Sequence, residues 1–158
     1  MLQIVGISEM IVSDSQSDTV VTYSLGSCVG ISAYDPIAKV GGILHCMLPL
    51  SKIDKEKARI KPCMFTDTGV SIFLQELFNR GATRKNLIIK VAGCSSLLDE
   101  KGLFKIGERN YTVAKKVLWK NNLLVTTEDV KGQKSRTLSL FMDTGKTTIK
   151  SAGKEVEL

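Results

Sequence analysis

Two apolar runs, residues 28–34 and 39–48, flank Asp35-Pro36-Ile37-Ala38, and this arrangement constrains the fold more than any other stretch of the chain. Both runs are short and partly β-branched, which suits strands. Asp at the first position of a turn and Pro at the second favour chain reversal, because the Asp side chain bonds to nearby backbone and the Pro ring fixes φ. The segment therefore reads as a β-hairpin. With Pro36-Ile37 as a two-residue loop, antiparallel register pairs Asp35 with Ala38, Tyr34 with Lys39 and, at the open end, Cys28 with His45. Opposed residues on one sheet face have Cβ atoms roughly 4.5–5.5 Å apart, within reach of a thiol and an imidazole. A one-residue slip, or a bulge at Gly41-Gly42, would send the two side chains to opposite faces.

His45 is the single histidine of the chain, which gives the pairing chemical interest. A free thiol, with a pKa near about 8.5, is only a few per cent ionised at neutral pH. An adjacent imidazole can take the thiol proton and later protonate a leaving group, effects worth roughly 10²- to 10⁴-fold. A third group that fixes the ring improves such a base, and Thr22, at the end of the preceding strand, is the candidate. Gly26-Ser27 before Cys28 permits a tight turn that exposes the sulfur and leaves backbone N–H groups to meet a developing oxyanion. By spacing alone, a lone Cys and a lone His in one hairpin are more often packing residues than a catalytic pair. Cys46 alternates to the other sheet face from His45 and reads as core. Cys28, Cys63, Cys94 and His45 lack the spacing of a zinc knuckle, so no metal or other cofactor is expected.

The 158 residues make a single domain, 1–158, and a hydrophobic content of 43% supports a sizeable core. No stretch approaches the roughly 20 apolar residues of a membrane span, and no basic leader precedes an apolar run at the start, so a cytoplasmic protein with reduced thiols and no membrane insertion is expected. The net charge of +6 comes from dispersed basic residues with few aromatics, which argues against nucleic acid and leaves acidic protein partners favoured by steering. Residues 3–13 and 19–23 read as strands, and residues 49–62 as a surface loop. Val70, Phe73, Leu74, Leu77 and Phe78 recur at helical spacing, with Thr66 or Asp67 as N-cap and Gly81 as stop. Residues 87–92 form a buried strand, a second helix runs from about Gly107 or Glu108 to Asn121, and four further strands follow. Strands outnumber helices, giving an α+β domain.

The segment from Val21-Thr22-Tyr23-Ser24-Leu25-Gly26-Ser27-Cys28 to Val29-Gly30, the turn with Gly41-Gly42 after it, and His45-Cys46-Met47-Leu48-Pro49 together resemble the CheD family of chemoreceptor glutamine deamidases. Phe65-Thr66-Asp67, Lys90-Val91-Ala92-Gly93, Ile106-Gly107 with Arg109-Asn110, and Glu128-Asp129 with Arg136 extend the likeness over nearly the whole chain. The resemblance implies two packed mixed β-sheets with flanking helices in α/β/β/α layers, similar to cytotoxic necrotizing factor-type cysteine hydrolases. It implies hydrolytic deamidation of glutamine side chains on methyl-accepting chemotaxis receptors, with Cys28 as nucleophile, His45 as base and Thr22 as third member. It also implies a CheC-type phosphatase as partner of a monomer, with Phe104 as an apolar contact for either partner's helix. An adaptor that binds receptor and phosphatase with little catalysis is the alternative. Cys94, Ser95 and Lys131 depart from the family pattern and bear on the shape of the loops rather than on the reaction.

Overall fold

The computed structural model describes residues 1–96 and 105–158, so Phe104 lies outside the described residues. These form strands β1 (Leu2–Ile4), β2 (Glu9–Ser13), β3 (Thr19–Leu25), β4 (Val29–Asp35), β5 (Val40–Cys46), β6 (Ile88–Gly93), β7 (Val125–Val130), β8 (Arg136–Phe141), β9 (Lys146–Ser151) and β10 (Lys154–Glu157). Helices are α1 (Lys55–Ile60), α2 (Thr66–Asn79) and α3 (Ile106–Lys120). Sheet A has the order β1-β3-β8-β9-β10, and sheet B the order β2-β5-β4-β6-β7. Each sheet is mixed: β1 runs parallel to β3, β6 parallel to β7, and the other pairs are antiparallel.

Sheet B is the middle layer. Val29, Ile31, Ala33, Val40, Leu44 and Cys46 pack toward Val70, Phe73, Leu74 and Leu77 of α2 and Ala114 and Leu118 of α3. On the other face Tyr34, Ile43 and Ala92 meet Val20, Leu25, Leu138, Leu140 and Ile149 of sheet A. Covered on both sides, β4 and β5 are buried along their whole length, which is why their sequences read as near-continuous apolar runs. Two packed mixed sheets with flanking helices are thus the fold. Both long helices pack on sheet B, α2 against β5 and β2 and α3 against β4 and β7.

The hairpin forms with a different loop. Asp35 pairs with Val40, Tyr34 with Gly41 and Gly30 with His45, leaving four loop residues instead of two. The Asp35 carboxylate accepts from the amides of Ile37 and Ala38 at 2.9 Å each, and Lys39, with φ of 59°, donates its amide to Asp35 O at 2.9 Å. The aspartate thus stabilises a wider turn than the two-residue version, and the register shifts by two positions. A shift of two preserves sidedness, so Cys28 stays on the same face as His45, diagonal to it rather than opposite.

Three other expectations change. Residues 3–13 are not one strand: the chain leaves sheet A after Ile4 and enters sheet B at Glu9, turning through Gly6 and Ser8, the latter with φ of 65°. Residues 49–62 hold short 3₁₀ turns and α1, whose N-cap Asp54 accepts from the Lys57 amide at 3.0 Å. One and a half helical turns are too few to display a period. Phe65 occupies the N-cap position of α2, and the Asp67 carboxylate instead accepts from the Ser51 amide and hydroxyl.

The core sets a testable contrast. Phe73→Ala should lower the unfolding free energy by about 3–5 kcal/mol, read from urea denaturation, because Phe73 is fully enclosed between α2 and sheet B. Ile37→Ala, at the 76%-exposed hairpin tip, should stay within about 0.5 kcal/mol of wild type.

Candidate active site

The site lies where the chain crosses between sheets. Val5, just past β1, donates its amide to Val21 O, and Ser8, just before β2, donates its amide to His45 O. Thr22 Oγ1 donates to Val5 O at 2.7 Å and lies 2.7 Å from His45 Nδ1. A hydroxyl carries one proton, and the Val5 carbonyl can only accept. With that proton committed, Nδ1 must be the donor toward Thr22. The neutral ring therefore bears its hydrogen on Nδ1, and Nε2 keeps a free lone pair. Nε2 is buried and without a hydrogen-bond partner among the described residues. Burial, with no compensating anion, pushes the His45 pKa down to about 4, so the ring is neutral at physiological pH.

Cys28 sits at the bend preceding β4, half-buried, against the cluster between the sheets. Desolvation raises its thiol pKa, opposed in part by the hydrogen bond from its own backbone amide. Opposite His45 stands Gly30, where a Cβ would come within 2.7 Å of Leu25 Cδ1, so Leu25 fills the space that a side chain there would need. The structure thus brings Thr22 and His45 into contact and places Cys28 on their face of sheet B.

Gly26 and Ser27 form the bend with Cys28, and all three carbonyls are tied down. Gly26 O accepts from the Ser95 amide at 2.9 Å, Cys28 O from the Cys94 amide at 2.8 Å, and Ser27 O from Asn110 Nδ2 at 2.9 Å. Gly93, with φ of 96°, makes the second of these possible, because a Cβ there would lie 2.4 Å from Cys28 O. Behind that loop Arg136, almost wholly buried, donates to Gly93 O, Ser95 Oγ, Lys131 O and Asp129 Oδ1. The Ser95 hydroxyl passes its own proton to Lys134 O at 2.7 Å. Ser95 is therefore a buried bracing residue, and Cys94, pushed up to about 12 chiefly by burial, is a packing thiol. Cys46 faces the helices, as strand alternation requires, and all four cysteines are free. No cluster of three or more His, Cys, Asp or Glu side chains suited to a metal occurs among the described residues.

Asn110, Arg136 and the Val5 carbonyl are participants that the sequence reading did not assign to the site. Asn110 had one available signal: it falls three residues after Gly107 and four before Ala114, on the buried face of the helix, where a polar amide is out of place. Nothing local marks Val5, whose carbonyl becomes available only because β1 and β2 part.

A family model described as CheD chemotactic sensory transduction matches residues 47–151. That span begins just past His45, so the match is carried by the body of the domain rather than by Thr22, Cys28 and His45. A relative named "Probable chemoreceptor glutamine deamidase CheD 1" from Syntrophus aciditrophicus (strain SB) is 46% identical over 150 residues, 95% of this chain and 94% of the relative. Another, named "Probable chemoreceptor glutamine deamidase CheD", from Solibacter usitatus (strain Ellin6076), is 43% identical over 155 residues, 98% of this chain and 92% of the relative. The chain belongs to the CheD family. Among solved structures, the hypothetical protein YfiH of Bacillus licheniformis superposes with a TM-score of 0.50 at 12% identity, covering 78% of this chain and 50% of that one. That likeness is one of fold alone.

Burial of a neutral imidazole links stability to pH. Unfolded His45 titrates near about 6.5, folded His45 at about 4, so between these values the unfolded chain binds more protons. The associated stability is fully present above the upper value and is lost as pH falls toward the lower one, on the order of 3 kcal/mol in all. Urea midpoints of wild type should fall across that window by more than those of His45→Leu; parallel pH dependences would show that His45 is not buried neutral.

Proposed function

We propose that this protein hydrolyses glutamine side-chain amides on chemoreceptors to glutamate, with Cys28 as nucleophile, His45 as general base and acid, and Thr22 as the residue that orients the ring. The observation that carries this reading is the Thr22–His45 hydrogen bond, with the hydroxyl proton given to Val5 O and the Nε2 lone pair left free on the face of Cys28. Membership of the CheD family supports the substrate class, since relatives carry the name chemoreceptor glutamine deamidase.

In the resting enzyme burial favours thiol over thiolate and imidazole over imidazolium, so both effects hold the proton on sulfur. Proton transfer to Nε2 therefore accompanies attack of Sγ on the carboxamide carbon instead of preceding it. The C–S bond forms, the carbonyl electrons move to oxygen, and the amides near Ser27 and Cys28 stabilise that oxyanion. The C–N bond then breaks as Nε2–H protonates the departing nitrogen, giving ammonia and a thioester. Water deprotonated by Nε2 attacks the thioester, and the thiol leaves with the proton. The sum is glutamine plus water to glutamate plus ammonia. Each event adds a negative charge to the receptor helix, which alters repulsion among like charges at helical spacing.

The proposal extends to a CheC-type phosphatase that competes for the same open end of the hairpin, and to a monomeric state favoured by the mutual repulsion of chains with a net charge of +6. A cytoplasmic location accords with the finding that no described helix is long and apolar enough to cross a membrane.

The test is mass spectrometry of a receptor cytoplasmic fragment. Wild type should convert selected glutamines, each with the small mass gain of OH for NH₂; Cys28→Ala should convert none, and His45→Ala should lose roughly 10²- to 10⁴-fold. Because the base must be unprotonated, the acid limb of kcat/KM should fall at about pH 4. Full conversion by Cys28→Ala, or an acid limb at the ordinary histidine value, would contradict the mechanism.

A further inference from the structure

Asn110 lies on α3, on the opposite side of sheet B from His45, and is fully buried. Its Nδ2 lies 2.9 Å from Ser27 O and 3.1 Å from Met47 O, while its Oδ1 accepts from the Thr66 hydroxyl at 3.2 Å. The two carbonyls can only accept, which fixes the amide with nitrogen toward them. Both protons of one NH₂ group are thereby spent on the two segments that carry the reactive side chains, one residue before Cys28 and two residues after His45. The single Thr66 hydroxyl proton lies within reach of both Asn110 Oδ1 and, at 3.1 Å, Leu48 O and serves one acceptor at a time, while the Thr66 amide ties the residue to the same segment by donating to Leu48 O at 2.7 Å.

Peptide planarity gives this arrangement a consequence. Ser27 C=O and Cys28 N–H belong to one trans peptide unit, so they point in opposite directions. A carbonyl drawn toward α3 turns the Cys28 amide away from the helices and toward the face between the sheets, where the sulfur and His45 lie. In the resting protein that amide lies against its own sulfur. We propose that Asn110 is a positioning residue that aims the Cys28 backbone amide, the oxyanion donor of the reaction, by holding the Ser27 carbonyl on the far side of the sheet. The inference rests on the reading of Cys28 as nucleophile and deepens it.

The proposal separates two properties of the same cysteine. Alkylation by iodoacetamide needs the sulfur but no oxyanion donor, whereas deamidation needs both. Asn110→Ala should cut kcat for the receptor fragment by roughly 10- to 100-fold, with KM within about twofold and the alkylation rate of Cys28 reduced by less than about threefold. Circular dichroism confirms that the variant is folded. Should it fail to fold, Thr66→Val removes the hydroxyl behind Asn110 Oδ1 and loosens the amide without removing it, and the same split should appear with a loss of a few-fold. Unchanged kcat in the folded variant, a loss confined to KM, or an alkylation rate that falls in step with kcat would overturn the assignment. Cys28→Ala separates the two levels: full activity there refutes the nucleophile, while an inactive Cys28→Ala beside a fully active Asn110→Ala refutes only the role of Asn110.

Discussion

The hydroxyl of Thr22 carries the contact on which the rest of the site depends. It joins a carbonyl at the edge of sheet A to an imidazole on the inner face of sheet B, at 2.7 Å on each side. Because the carbonyl takes the only proton, the imidazole is held in one tautomer, and the nitrogen left basic is the one without a partner among the described residues. A buried nitrogen with a lone pair and nothing to accept costs stability, of the order of 1–3 kcal/mol for an unmet polar group. Such a cost persists where the group has work to do with something that arrives.

Two clamps hold the thiol bend near that imidazole, and they come from different layers. The Arg136 and Ser95 network braces the loop after β6, which in turn binds the carbonyls of Gly26 and Cys28. Asn110, from the helix layer, binds the carbonyl between them. The bend is therefore held at three consecutive carbonyls. Arg136 is the register partner of Leu25, after a bulge in β3 that begins at Thr22, so the irregularity at the end of β3 also brings the guanidinium beneath the bend. A change in either clamp reaches the sulfur through backbone orientation before it touches any reacting atom.

Much of this was legible in the residues. The hairpin, its sidedness, the helical period from Val70 to Phe78 and the buried strand before Gly93 follow from hydrophobic spacing, and each forms as that spacing requires. The sequence points to Cys28, His45 and Thr22 together, and the contact between Thr22 and His45 is present. Loop length was not legible, because Asp35 caps a four-residue turn as readily as it starts a two-residue one. The break between β1 and β2 was not either: residues 3–13 are apolar enough to read as one strand, and tertiary pairing divides them between sheets. Asn110 escaped for a related reason, since its partners are 83 and 63 residues away in sequence.

The central claim concerns where one proton sits. Long-range ¹H–¹⁵N correlation spectra of protein labelled in its single histidine report which ring nitrogen carries hydrogen at neutral pH. The account predicts a protonated Nδ1 and an unprotonated Nε2, with the preference lost in Thr22→Val. A ring protonated on Nε2, or a Thr22→Val spectrum identical to that of wild type, would contradict it.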